Sequence, residues 1–407
     1  PEGDEGTGRD ARVTAWPVVR LDEVFEVSRG GSPRPIASFI TDDPGGINWI
    51  TIADASEGTK FITQTKRRIR PEGAERSRSV KPGDFLLTNS MSFGRPYIMA
   101  TSGCVHDGWL VLSPRRAGLA PDFFYHLLGS ASIYREFERR AAGVTVKNLN
   151  IELVKDLPVP LPPVHEQRRI AAILDKANAL RAKRRAALAQ LDALTQSIFL
   201  EIFGDPALNT HGWPLMEFAG VCELRLGKML DKARQSGAHR RRYLRNANVQ
   251  WFRFDLASLF EMDFDEEDRQ VFALRHGDLL ICEGGEPGRA AVWQSEVEEC
   301  YFQKALHRAR PNAAIATSEY VAHLLWFLAK RGRLRDHVTS ATIAHLTGEK
   351  LAAMKIPIPP VSLQERFDRE LATLRRHQSA HDRSLAQLDA LFASLQHRAF
   401  NGTLAGS

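Results

Sequence analysis

The sequence predicts an α+β protein: two globular modules joined by two long helices that pack antiparallel as a coiled coil, giving pseudo-two-fold symmetry. Three observations predict it. Much of the chain returns 197 residues later, each copy carries short apolar runs set between turn signals, and each copy ends in a long stretch with heptad periodicity.

The repeat is read directly. Trp16-Pro17 returns as Trp213-Pro214, and Pro160-Leu161-Pro162-Pro163-Val164 as Pro357-Ile358-Pro359-Pro360-Val361. Leu191-Asp192-Ala193-Leu194 returns as Leu388-Asp389-Ala390-Leu391. Solenoid repeats recur every roughly 20 to 50 residues, so this period means two copies of a whole domain with its connector. Two similar modules imply two similar targets.

Residues 1–15, rich in Gly and acids at their start, read as a flexible tail. In the first module Val80-Lys81-Pro82-Gly83-Asp84 is a turn signal, and the run Phe85-Leu86-Leu87 behind it reads as a buried strand. The second module has His276-Gly277-Asp278 before Leu279-Leu280-Ile281. Gly94-Arg95 and Gly288-Arg289 follow, then apolar runs at 109–112 and 290–293, so each core is a mixed or antiparallel sheet. Pro121 with Asp122 opens a helix, and Thr317-Ser318-Glu319 opens its counterpart.

The long helices are clearest. Phe367, Leu371, Leu374, Gln378, His381, Leu385, Leu388, Phe392, Leu395 and Ala399 follow steps of four and three, the seam of a left-handed coiled coil. The first copy gives Ile170, Leu174, Ala177, Arg181, Arg184, Leu188, Leu191, Thr195, Ile198 and Ile202. Each helix is about 57 Å long at about 1.5 Å per residue, and neither can bury that stripe alone. Antiparallel packing is expected to bring Arg181 and Arg184 near Gln378 and His381, either as solvated seam positions or as a polar layer that fixes register. The prolines ahead of each helix are expected to supply rigid extended leads.

Composition excludes several classes. Of 407 residues, 43% are hydrophobic and 26% charged, which is ordinary for a globular protein. Cys104, Cys222, Cys282 and Cys300 form no C-x-x-C pair, which argues against zinc and disulfides and fits a reducing cytoplasm. The longest apolar runs are too short to span a bilayer, so no membrane partner is expected. A net charge of +6, with one basic run per module at 66–70 and 240–245, is compatible with a phosphate-facing surface on each.

Catalytic signatures are missing. There is no G-x-x-x-x-G-K-[ST] loop, no H-E-x-x-H pair, no Asn-Pro-Pro-aromatic tetrapeptide, and no strand-to-helix glycine spacing for a dinucleotide or adenosyl methionine. Asp278, Glu283 and Glu286 lack the lysine of a nuclease site, and the first copy has Asp84 and Asn89 without matching acids. No metal and no catalytic residue is assigned, and the chain reads as a binder.

Residues 161–205, LPPVHEQRRIAAILDKANALRAKRRAALAQLDALTQSIFLEIFGD, resemble the first conserved region of type I restriction-modification specificity subunits. Residues 357–404 resemble the second, preceded by Ala341-Thr342-Ile343-Ala344-His345-Leu346-Thr347. The resemblance implies target recognition domains at 16–161 and 207–358, and conserved spacer helices at 162–206 and 359–404. It implies a non-catalytic, cytoplasmic subunit that reads a split site in double-stranded DNA and docks two methyltransferase subunits, with restriction subunits as further partners. Cofactors would belong to those partners: S-adenosyl methionine to the methyltransferases, ATP and Mg to the restriction subunits. The half-sites would lie about one helical turn, or about 34 Å, apart.

Within that reading, turn residues carried by the sheets are the candidate DNA contacts. They are Arg29, Arg34, Ser90, Arg95 and Lys147 in the first module, and Lys228, Lys232, Arg245, Arg289, Lys304 and His345 in the second. Gln167 and Gln364 coincide in the repeat near the family's partner-docking surface, and are candidates for that role or for capping a helix start. Arg168, Arg169, Lys183, Arg184 and Arg185 face DNA, an acidic partner surface or solvent. Two readings from other classes compete: a protein scaffold indifferent to DNA sequence, and an enzyme that binds its own cofactor.

Overall fold

The computed structural model describes residues 16–55, 58–89, 94–141, 149–231, 235–334 and 345–404. The chain forms two compact units, one of 1–185 with 383–407 and the other of 186–382. Each unit therefore takes one module and a segment of each long helix.

The central sheet of unit one runs in the order Phe25–Arg29, Trp109–Pro114, Phe85–Thr88, Pro96–Met99, Phe61–Ile62. Only its last pair is parallel. Phe85-Leu86-Leu87 is buried on both faces: Phe85 and Leu87 pack with Phe123 and Phe124 of the helix Pro121–Leu128, while Leu86 packs with Tyr97 and Trp109. A strand covered on both faces has no polar side to alternate, which is why its sequence is a continuous apolar run. A second five-stranded sheet, ordered Ile40–Thr41, Arg67–Ile69, Ile47–Ile50, Gly103–Val105, Arg78–Val80, carries the first basic run.

Unit two repeats the plan. Cys222–Leu226, Leu306–Pro311, Leu279–Cys282 and Ala290–Val292 pair in the same order, and Phe260–Asp263, Arg240–Leu244 and Tyr301–Phe302 form the smaller sheet. The helix Ser318–Lys330 starts at Thr317, whose hydroxyl accepts from Tyr320 N–H, an N-cap.

The proline leads are paired rather than free. Pro158–Pro160 lies antiparallel to Val18–Arg20, and Lys355–Pro357 to Leu215–Glu217. Two-stranded ribbons consist of edges alone, where proline's missing donor costs least.

The long helices span Val164–Phe203 and Val361–Phe400, and every seam position is buried or half-buried. In unit one Ile170 and Leu174 share a core with Ala399 and Phe400, while Arg181 meets Asp389, so the segments run antiparallel. In unit two Phe199 and Phe203 pack on Phe367, and Asp192 meets Gln378, again antiparallel. The polar layer is corrected by this register. Arg181 pairs with Asp389 and Gln378 with Asp192. Neither takes the partner expected from the seam pattern, and Arg184 and His381 are half-buried seam positions.

Candidate nucleic-acid interface

The same backbone frame gathers the loops within each unit. In unit one Asn89 N–H donates to the Gly108 carbonyl at 3.0 Å, and the Asn89 carbonyl accepts from Leu149 N–H at 3.2 Å. In unit two Glu283 N–H donates to Ala305 at 2.9 Å, and its carbonyl accepts from Leu346 N–H at 2.7 Å. Three segments thus meet: the loop after the central strand, the loop leading into the long strand, and the segment before a short helix, Ile151–Lys155 or Gly348–Ala352. A fourth loop joins them through Gly30 N–H to Trp109 O at 2.9 Å and Gly227 N–H to Leu306 O at 3.0 Å. Loops held this way by a sheet are suited to recognition.

In unit one the frame brings Arg29 and Arg34 together at Asp107. Arg29 Nε donates to the Asp107 carbonyl at 3.2 Å, and exposed Arg34 lies 3.7 Å from its carboxylate. Burial works against the Asp107 charge, but hydrogen bonds from Ser32 and His106 hold its carboxyl below the usual range. Burial pushes the neighbouring His106 imidazole down. Arg95 is exposed and borders a cleft of about 220 Å³ lined also by His126, Arg181 and Phe392. Ser90 and Lys147 lie outside the described residues.

In unit two Lys228 departs from expectation. Its ammonium donates to the Asp263 carbonyl at 2.8 Å and to the Asp268 carboxylate, and lies 5.2 Å from the Phe264 ring centroid. Its charge is answered inside the unit, so its side chain buttresses the loop. Arg289 is also held, donating to Glu286 at 3.2 Å and to the Asn246 carbonyl at 3.1 Å. The Arg245 guanidinium stacks 3.4 Å from the ring centroid of half-exposed Phe260. Lys304 is exposed, with its backbone N–H on the Lys228 carbonyl at 2.8 Å. His345 adjoins Leu346 on the frame, and Lys232 lies outside the described residues.

Gln167 and Gln364 are not surface contacts. Gln167 is 2% and Gln364 0% exposed. Gln167 accepts from Ala120 N–H at 2.9 Å and donates to Pro162 O at 2.8 Å; Gln364 accepts from Thr317 N–H at 2.9 Å and donates to Pro359 O at 2.8 Å. Each satisfies an orphan donor at the start of a module helix and locks it to the long helix. A partner subunit cannot reach either amide.

The acids considered for a metal are used otherwise. Buried Asp278 pairs with Arg310 at 2.6 Å, and Glu286 accepts from Trp251 and Arg289. No group of side chains suited to a metal occurs among the described residues, and no helix there is long and apolar enough to cross a membrane.

The frame and four of its side chains carry no basic signal in the sequence. Asn89 and Glu283 lie 194 apart and Gly108 and Ala305 lie 197 apart, a three-residue change inside the module that conceals the match. Asp107 and the exposed Leu226, Met229 and Leu230 are not basic, so the charge pattern does not point to them.

Comparison with known proteins follows the same lines. Residues 14–190 match the family described as type I restriction modification DNA specificity domain. The chain is 24% identical over 378 residues to the type I restriction enzyme MjaIX specificity subunit of Methanocaldococcus jannaschii, covering 86% of this chain and 85% of that one. It is 27% identical over 169 residues to the EcoBI specificity subunit of Escherichia coli, 40% of this chain and 36% of that one. In fold it is similar to a chain from a type I R-M system solved to explain complex assembly and conformational transition, with TM-score 0.60, 19% identity and coverage of 96% and 98%. The S subunit of a type I restriction-modification system from M. genitalium gives TM-score 0.54 at 15% identity, covering 97% and 98%. The repeated modules, the paired helices and these likenesses agree: residues 14–190 match a type I restriction modification DNA specificity domain, and the chain is similar along most of its length to a type I specificity subunit.

Proposed function

We propose that this chain is the specificity subunit of a type I restriction-modification system, that it reads a bipartite site in double-stranded DNA, one half with each unit, and that it docks two methyltransferase subunits through its long helices. The observation that carries the reading is the repeated frame with unlike side chains. The positions that hold Arg29, Ser32, Pro33, Arg34 and Asp107 in unit one hold Leu226, Met229, Leu230, Asp231 and Lys304 in unit two. One scaffold presenting two chemistries suits two different half-sites. In that role the chain would be a non-catalytic component. Adenine methylation would come from the methyltransferase partners with S-adenosyl methionine, and cleavage from restriction subunits using ATP and Mg.

A genome-wide adenine methylation map of the source organism, with and without this gene, tests the proposal. One split motif disappearing on deletion is expected. An unchanged map in cells that express the subunit overturns it and favours the scaffold reading.

A further inference from the structure

We propose that loop 226–231 of unit two reads thymine methyl groups, an inference that rests on the DNA-reading function above. Within five residues the loop exposes Leu226 at 38%, Met229 at 60% and Leu230 at 43%. A cluster of large apolar side chains in water marks a contact surface.

The backbone holds them outward. Gly227 N–H donates to Leu306 O at 3.0 Å, Lys228 N–H to Phe302 O at 3.2 Å, and Lys304 N–H to Lys228 O at 2.8 Å. Gly227 packs so tightly that a Cβ there would meet Gln303 O at 2.2 Å. The loop cannot turn over to bury its apolar tip.

The surroundings favour nucleic acid. Arg225 and Lys304 are exposed beside the loop, and Gln303 N–H donates to Leu244 O at 3.1 Å, which brings the Arg245 segment alongside. Exposed Asp231 closes the loop, and two further acids nearby are occupied within the unit. Asp268 receives the Lys228 ammonium, and the Asp263 carboxylate accepts from Ser236, Gly237 and His239. An apolar tip inside a basic rim matches a groove lined by phosphates, where the apolar group on a base edge is the thymine 5-methyl. The same frame in unit one carries Arg29, Ser32 and Arg34, so the two units are set for different base chemistry.

The test uses the full chain assembled with its methyltransferase subunits and a duplex carrying the motif found by methylation mapping. Each thymine in both halves is replaced in turn by uracil, which removes only the methyl. Affinity is expected to fall about fourfold for each contacted methyl. The double variant Met229→Ala, Leu230→Ala should bind the thymine duplex more weakly, become indifferent to uracil, and keep the wild-type salt slope, because no phosphate contact is lost. The inference is overturned if uracil has no effect on wild type, if the effect persists in the variant, or if a half-site lacks thymine on both strands at every contacted position. Loss of methyltransferase subunits by the variant, with the uracil effect unchanged, overturns it in favour of protein docking. Failure of the wild-type complex to bind the mapped duplex at all rejects the DNA-reading function itself.

Discussion

Arg181 and Asp389 pair between the two long helices in unit one, and the Arg181 guanidinium also lies 4.3 Å from the Phe392 ring centroid. The repeat places Gln378 and Asp192 in the same relationship in unit two, 2.8 Å apart. The register is therefore the same in both units while its chemistry differs: an ion pair with an aromatic lid in one, a single amide hydrogen bond in the other.

Arg181→Ala should accordingly destabilise unit one by about 1–2 kcal/mol, since it removes both the ion pair and the cation–π contact. Gln378→Ala should cost about 0.5 kcal/mol, the lower range for a net hydrogen bond. Hydrogen exchange of each unit's helix segments distinguishes the two, and equal effects would show that the aromatic lid adds nothing.

Gln167→Ala should cost about 1–3 kcal/mol by leaving the buried Ala120 N–H without an acceptor. Gln364→Ala should do the same to Thr317. The effect belongs to folding: urea midpoints fall, while affinity of the folded chain for methyltransferase subunits stays within twofold. A selective loss of subunit affinity at unchanged stability would restore the docking role.

The helices, their direction and their seam were legible because one stripe must repeat every three or four residues over ten turns. The buried strand at Phe85 was legible for a similar reason, its continuous apolar run. Register was not. Which residue meets Arg181 depends on how the two long helices are staggered along each other, a tertiary constraint with no local signal. Lys228 looked like any loop lysine, and only the fold brings Asp268, forty residues away, to its ammonium.

Two of the proton linkages in unit two should oppose each other. Burial pushes the His323 imidazole down to about 4 from 6.5, so the unfolded chain binds more protons and stability falls as pH drops through that interval. Burial, with Glu319 nearby, pushes the Asp368 carboxyl up to about 6 from 3.8, so the folded chain binds more protons and stability falls as pH rises through that interval. Between about 4 and 6 the two oppose each other. Asp368→Asn should expose the His323 linkage, a loss on the order of 2–3 kcal/mol between pH 6.5 and 4. Urea titrations at stepped pH check it, and a variant with the wild-type pH profile would refute it.

Lys304→Ala and Arg34→Ala should each lower the slope of log affinity against log salt by about 0.9, and weaken all sequences alike, if these exposed cations contact phosphates. Lys228→Ala should leave the slope unchanged and lower stability, because its charge is already paired with Asp268. A reduced slope for Lys228→Ala would reverse that assignment.

Gly30 and Gly227 occupy the same place in the two loop frames, and each is required by a close approach of backbones. A Cβ on Gly30 would meet the His106 carbonyl oxygen at 2.0 Å, and one on Gly227 the Gln303 carbonyl oxygen at 2.2 Å. Backbone cannot yield by changing a rotamer, so alanine must push the loop away and break the hydrogen bonds from Gly30 to Trp109 or from Gly227 to Leu306. The antiparallel pairing of Phe25–Arg29 with Trp109–Pro114, and of Cys222–Leu226 with Leu306–Pro311, lies behind the loop and should persist. Each substitution should therefore cost about 1–3 kcal/mol, the range for overpacking, without unfolding its unit. Gly220→Ala is the control: its nearest neighbour, Met216 Cε, is 3.9 Å away, and alanine there should be neutral or stabilise by about 0.5 kcal/mol. In cells, Gly30→Ala should relax or abolish one half of the methylated motif and Gly227→Ala the other. If both variants lose the same half, or neither alters the motif while remaining folded, the loops do not read the DNA.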